Sequence, residues 1–260
     1  MASRKTYIIL IVIVLIFGIS MFLIFGLNNI KKDKYQSVII LGDNTTWVFN
    51  DKKWINLRNR TSIDKLNWKK YNVFQDNKEI GDYYLWHDDK WYAFDDKREA
   101  VVIDGTLLAY SANYKMDILD FNDTDVLDDT YINEVLKDNN ISTSSKFTSK
   151  YKVSIDFDND GEEEDFYIIS NAFPLDFESD YSFSIAFMVK NNTIYTLYND
   201  VSTISSGLNA CKPFYQAFID TNNDNVHEVI LSCGKFSADE QIDMLYQFIN
   251  GEFKILISNQ

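Results

Sequence analysis

Apolar and polar positions alternate in short blocks along most of this chain, and one unbroken apolar block stands apart from them. Residues 8–27 hold 20 positions without a charge, relieved only by Gly18, Ser20 and Gly26. A helix of that length, at about 1.5 Å per residue, spans about 30 Å, the hydrocarbon thickness of a bilayer. A core helix would show a polar face, and this block has none. It is longer than the apolar region of a cleaved leader, and the Asn28, Asn29, Ile30, Lys31 and Lys32 that follow contain no small-x-small site. The block therefore reads as an uncleaved signal anchor through which the chain meets the lipid bilayer. Arg4 and Lys5 precede it while Lys31, Lys32 and Lys34 follow it, so flanking charge does not orient it. The short leading tail and the character of the remainder point to a single-pass protein of the cell membrane with its large C-terminal part outside the cytoplasm.

The remaining pattern has a period of two. Residues 47–57 and 84–94 align at an offset of 37: each is an aromatic strand, an Asn/Asp/Lys turn, and a return strand that opens on Trp54 or Trp91. A further hairpin is expected between 100–104 and 106–110, about the Asp104-Gly105 turn. Residues 130–137 read as a short helix capped by Thr130, with Ile132, Val135 and Leu136 on one face. Residues 142–149 are small and polar, like a linker. A longer repeat follows. Strand 151–155, an acidic loop, apolar run 166–169, and a hairpin about Asn191-Asn192 recur about 60 residues on as strand 214–219, a second acidic loop, strand 229–233, and a hairpin about Asn250-Gly251. Four antiparallel strands per unit is the pattern of a propeller blade. The fold expected is mostly β: antiparallel hairpins and two four-stranded, blade-like, β-propeller-like repeats behind one N-terminal transmembrane helix. The organisation is 1–34, tail and anchor; 35–115, a Trp-rich hairpin module; 116–149, an acidic connector with a short helix; and 150–260, the two repeats.

The acidic loops carry the candidate chemistry. Asp156, Asp158, Asp160 and Glu164 take positions 1, 3, 5 and 9 of the first, with Gly161 at position 6 and the backbone carbonyl of Glu162 available at position 7. Alternate residues of a tightly curled loop converge, and calcium takes 6–8 such oxygens. The second loop offers Asp220, Asn222, Asp224 and Glu228, with the Val226 carbonyl at position 7. It is the weaker ligand set, because Asn222 brings no charge and Asn225 replaces the glycine. Neither is an EF-hand: position 12 is Tyr167 or Leu231, and the flanks read as strands. The chain here resembles the calcium loops of FG-GAP/VCBS-type repeats, found in integrin-like β-propellers. That resemblance implies structural Ca2+ held between two strands of each blade. An acidic turn without metal is the alternative.

Charge and composition narrow the function. The whole chain is −14, and residues 1–34 carry five bases and one acid, so residues 35–260 carry −18. Such a field repels nucleic acid and anionic polymers and attracts cations. Cys211 and Cys233 can form a disulfide outside the cell or stay as two buried thiols; a simple hairpin about Asp224 sets Cys233 opposite Tyr215. His87 and His227 read as solvated turn residues in different modules. No nucleophile elbow, phosphate loop or zinc-spaced cluster occurs. Trp47, Trp54, Trp86 and Trp91 serve either as core or as a platform for sugar stacking. The expected function is non-enzymatic: a membrane-anchored extracytoplasmic protein that binds a cell-surface protein or glycan. The alternatives are a structural subunit of an envelope assembly and a carbohydrate-active enzyme.

Overall fold

A computed structural model describes residues 36–42, 45–50, 53–88, 90–102, 106–111, 116–172, 181–203, 210–234 and 241–259. The apolar block 8–27 and the Asp104-Gly105 turn lie outside them. Among the described residues no helix is long and apolar enough to cross a membrane. The domain that begins at Tyr35 is one compact unit, mostly β and antiparallel.

Strands β1 (Ser37–Leu41), β2 (Thr45–Asn50), β3 (Lys53–Asn56), β4 (Lys69–Gln75), β5 (Lys78–His87), β6 (Trp91–Phe94), β7 (Ala100–Val102) and β8 (Thr106–Tyr110) form an eight-stranded sheet in the order β3-β2-β1-β8-β4-β5-β6-β7. The two tryptophan hairpins are β2–β3 and β5–β6, with Asn50 opposite Lys53 and His87 opposite Trp91. The hairpin expected between 100–104 and 106–110 does not form. β7 pairs with β6, whereas β8 runs between β1 and β4. The apolar run of β8 needs cover on both faces, which a central position supplies and an edge hairpin does not.

Two sheets follow, each a four-strand meander with a short extra edge strand. The first repeat is β11 (Ser149–Ile155), β12 (Glu164–Ser170), β13 (Tyr181–Lys190) and β14 (Thr193–Thr203). The second is β15 (Lys212–Asp220), β16 (Glu228–Gly234), β17 (Gln241–Ile249) and β18 (Glu252–Ser258). The acidic stretch 116–149 supplies both edge strands: β9 (Asp117–Leu119) joins β15, and β10 (Thr124–Asp125) joins β11. Hairpins β13–β14 and β17–β18 turn through Asn191-Asn192 and Asn250-Gly251, all with positive φ, as two-residue hairpins of native twist require. A short helix α1 (Arg60–Ile63) precedes β4, and α2 (Thr130–Asp138) precedes β11. Thr130 is not the cap of α2. Asp129 takes that position without a capping bond, and Asp128 accepts hydrogen bonds from the Thr130 N–H (3.0 Å) and hydroxyl (2.7 Å).

The layers follow from the period of two. In β12, Phe166 and Ile168 face the second repeat while Tyr167 and Ile169 face α2. In β16, Val229 and Leu231 face the first repeat while Ile230 faces the eight-stranded sheet. In β1, Ile39 and Leu41 meet the second repeat, and Val38 and Ile40 enter a separate core with Leu66, Leu85 and Trp91. The stacking order is thus eight-stranded sheet, second repeat, first repeat, α2. Edge-to-face rings join the repeats, with Phe166 and Phe218 centroids 4.9 Å apart. The buried Asp243 carboxylate ties the second repeat to the large sheet by accepting hydrogen bonds from Ser232, Gln241 and Thr45, each 2.6 Å.

Candidate functional site

The first acidic loop curls between β11 and β12 through left-handed Asn159 and Gly161. Asp156 accepts the N–H groups of Asp160 (3.0 Å) and Gly161 (3.1 Å), and Asp160 accepts that of Glu162 (2.9 Å). Buried Glu164 accepts the Phe157 N–H at 3.0 Å. Carboxylate oxygens of Asp156, Asp158 and Glu164 lie within 4.8 Å of one another, a spacing that could hold a metal ion. The Glu162 side chain points away into solvent. The cup already contains a cation. Lys190, at the end of β13, sets its Nζ 2.9 Å from Asp158, 2.8 Å from Asp160 and 2.5 Å from Glu164. Burial opposes the charge on Lys190, but the hydrogen bonds it donates to Asp160, Glu164 and Asp158 outweigh it and raise its pKa, so the ammonium stays charged. Burial raises the pKa of Glu164, and Lys190 offsets part of that shift. An ammonium and a dication cannot share these oxygens, so the first loop fits a metal only if Lys190 withdraws.

The second loop has the same frame without the lysine. Asp220 accepts the N–H groups of Asn222 (3.2 Å), Asn223 (2.7 Å) and Asn225 (3.0 Å); Asn223 and Asn225 are left-handed. Asn222 accepts from the Asp224 N–H and Asp224 from the Val226 N–H, both at 2.9 Å. Glu228 is 0 % exposed and accepts from the Thr221 N–H (2.9 Å), the Thr221 hydroxyl (2.7 Å) and Asn222 Nδ2 (3.3 Å). Asp165 pairs with Val189 in the first repeat and Val229 with Tyr246 in the second. One residue further along each register, Lys190 stands opposite Glu164 and neutral Gln247 opposite Glu228. Burial, reinforced by Asp224 and Asp220, pushes Glu228 up to about 7, against the Thr221 hydrogen bonds. A cavity of about 1030 Å³ adjoins this loop, lined among others by Phe49, Trp54, Asn222, Asp224, Glu228 and Gln247. These oxygens face no ammonium, but among the described residues it is the Asp156, Asp158 and Glu164 oxygens of the first loop that lie close enough together to hold a metal ion.

The two loops touch. Asn159 Nδ2 donates to the Asn225 carbonyl at 3.4 Å, and the His227 N–H donates to the Phe157 carbonyl at 3.1 Å. His227 is not a solvated turn residue: it is fully buried, its Nδ1 is 2.8 Å from the same carbonyl and its Nε2 3.4 Å from Asp117. The polar surroundings of its position in sequence conceal that the facing loop covers it. His87 is not a solvated turn residue either: it ends β5, is half-buried, and pairs with Trp91, with ring centroids 4.9 Å apart.

Cys211 and Cys233 are bonded, with Cα atoms 5.5 Å apart. Cys233 is not opposite Tyr215. Ile219 pairs with Glu228, and past the bulge at Gln216 the register sets Pro213 opposite Cys233, with Cys211 as its diagonal neighbour. The displaced Gln216 hydrogen-bonds to Thr106 and Asn77 of the large sheet.

Comparison with family models, curated proteins and solved structures returns no match.

Trp47, Trp54, Trp86 and Trp91 do not share one surface. Trp47 is buried against the second repeat with Trp54 packed beside it, and Trp91 is buried in the core on the opposite face of the sheet. Trp86 belongs to a different group. Tyr84 and Trp86 of β5, with Tyr92 and Phe94 of β6, alternate with inward Leu85, Trp91 and Ala93 and face outward, partly exposed. Trp68 joins them at 5.2 Å from Phe94 and 6.3 Å from Trp86; Trp86 lies 5.5 Å from Tyr92. These rings share the side of the sheet that packs on the second repeat, but on its far strands. The i, i+2 spacing of Tyr84 with Trp86 and of Tyr92 with Phe94 was the available signal. Trp68 could be placed only by the fold.

Proposed function

We propose that this chain is a membrane-anchored extracytoplasmic binding protein. Residues 8–27 hold it in the bilayer, and its β domain engages a protein or glycan at the cell surface. The observation that carries the binding role is the outward, partly exposed aromatic cluster of β5 and β6 with Trp68, which is half exposed. The Cys211–Cys233 bond supports an oxidising location, since such bonds persist outside the cytoplasm. The two stacked meanders with acidic loops keep the resemblance to calcium-binding propeller blades as the reading of the repeats. Calcium would sit in the second loop, held by Asp220, Asn222, Asp224, Glu228 and the Val226 carbonyl, and would stabilise the domain by neutralising carboxylates that lack a lysine. The test is protease added to intact cells. Loss of residues 35–260 with retention of a small anchored stub is expected. Full protection until lysis would overturn the location.

A further inference from the structure

All eight strands of the large sheet lie within residues 37–110, and the charge of the chain is divided against them. Residues 35–115 contain 12 bases and 12 acids, whereas residues 116–260 contain 8 bases and 26 acids. The aromatic face thus belongs to an electroneutral module, and the repeats carry the −18. A basic partner would be drawn to the repeats, and a polyanion would be repelled by the domain as a whole. An uncharged ligand meets neither effect on the aromatic face.

The face also holds two strained residues. Trp68 (φ 60) and Arg98 (φ 65) have left-handed backbones, which crowd any residue with a Cβ. Burial does not offset this for Trp68, whose side chain is 50 % exposed. The two strained residues stack on each other, with the Arg98 guanidinium 5.7 Å from the Trp68 ring centre. Lys70 lies 5.6 Å from the Tyr84 ring centre and donates to Asp96 at 3.0 Å. The rings meet at 33–71° and so make an uneven apolar floor, and Lys70, Asp96 and Arg98 rim it with hydrogen-bonding groups.

Apolar floor and polar rim together match a molecule with C–H faces and hydroxyl edges. We propose, building on the binding role inferred above, that this face binds a neutral polysaccharide. Pyranose C–H faces lie on Trp68, Trp86, Tyr92 and Phe94, and sugar hydroxyls reach Asp96, Lys70 and Arg98.

The test titrates the full-length chain, held in a detergent without a sugar headgroup, by tryptophan fluorescence. The probes are cello-, chito-, malto- and xylo-oligosaccharides, oligogalacturonate, and phosphatidylcholine vesicles. A saturable response to at least one neutral series is expected, little changed between about 50 and 500 mM salt because the ligand carries no charge. Trp86→Ala and Tyr92→Ala should each weaken it about tenfold, in protein whose circular dichroism shows the sheets still folded. Absence of any neutral-sugar response, preference for oligogalacturonate, or undiminished binding by Trp86→Ala would overturn the proposal. Vesicle binding abolished by Trp86→Ala, without sugar binding, would reassign the face to lipid. Because cell-surface exposure is read separately by protease, sugar binding by a protected domain would overturn only the location.

Discussion

Glu228 is a carboxylate with no exposed surface, two acidic neighbours and no lysine opposite it. Burial raises its pKa from 4.5 to about 7 in the folded protein. A raised folded pKa means the native state binds the proton more tightly than the unfolded chain. The stability linked to that proton is complete below about pH 4.5 and is lost as pH rises through about 7. The difference corresponds to about 3 kcal/mol at roughly 1.4 kcal/mol per pKa unit. Glu228→Gln keeps an oxygen for Thr221 but cannot ionise. In chelator it should match the parent near pH 4 and exceed it by up to about 3 kcal/mol near pH 8.5, by urea denaturation. A difference that does not vary with pH would show that Glu228 does not titrate in this window.

At the scale of elements, two loops with one frame differ by the residue on the neighbouring strand. In the first, the Lys190 ammonium neutralises Asp158, Asp160 and Glu164; in the second, Gln247 stands in its place. Ligand chemistry alone ranks the first loop above the second as a calcium site, but a resident cation weighs against that order. Lys190→Met removes one partner of a largely buried group, a change that costs about 3 kcal/mol or more in chelator. It also frees the Asp158 and Glu164 oxygens, which with Asp156 lie close enough to hold a metal ion, so calcium should restore stability to the variant. Native-state binding contributes about 2.7 kcal/mol at a hundredfold excess over Kd. Melting curves in millimolar calcium and in chelator should therefore show a larger calcium response for Lys190→Met than for the parent. The parent response should fall with Asp220→Ala and Asp224→Ala. Equal responses of parent and Lys190→Met would mean that the lysine is not standing in for a metal.

At the scale of the whole molecule, three sheets and a helix share their cores in series, so the centre of the middle sheet is covered on both faces. Its central strand β16 is buried from Glu228 to Cys233. The Cys211–Cys233 bond staples this strand to the chain entering β15, closing a loop of 22 residues. In the chain-entropy account such a loop restricts the unfolded ensemble by about 3 kcal/mol. Replacing both cysteines by serine should lower the stability by about that amount, read from the urea midpoint. Treating the parent with reductant should reproduce the loss. Quantitative alkylation of both thiols in unreduced, exported protein would show that the bond is absent in the cell.

Several elements were legible without coordinates because their determinants are local. Alternating apolar residues mark β11 and β13, the Asn-rich turns demand left-handed residues, and Ile132, Val135 and Leu136 define the buried stripe of α2. The curled acidic loops were legible for the same reason, since Asp156 and Asp220 bond to N–H groups at most five residues away. Other features depend on partners distant in sequence, and no local pattern encodes them. Pairing β8 with β1 and β4 rather than β7 is set by which apolar faces need cover. The bulge at Gln216 follows from its contacts with Thr106 and Asn77, more than 100 residues away. The burial of His227 comes from the facing loop, and the ammonium in the first acidic cup from a lysine 26 residues beyond Glu164. Sequence alone determined the turns, the acidic loops and the strands that alternate most regularly, because turn chemistry, loop bonds and alternation are local; which strands pair is not. Tertiary structure alone decided which loop holds its own cation and which aromatic rings remain outside the core, because both depend on how the sheets stack.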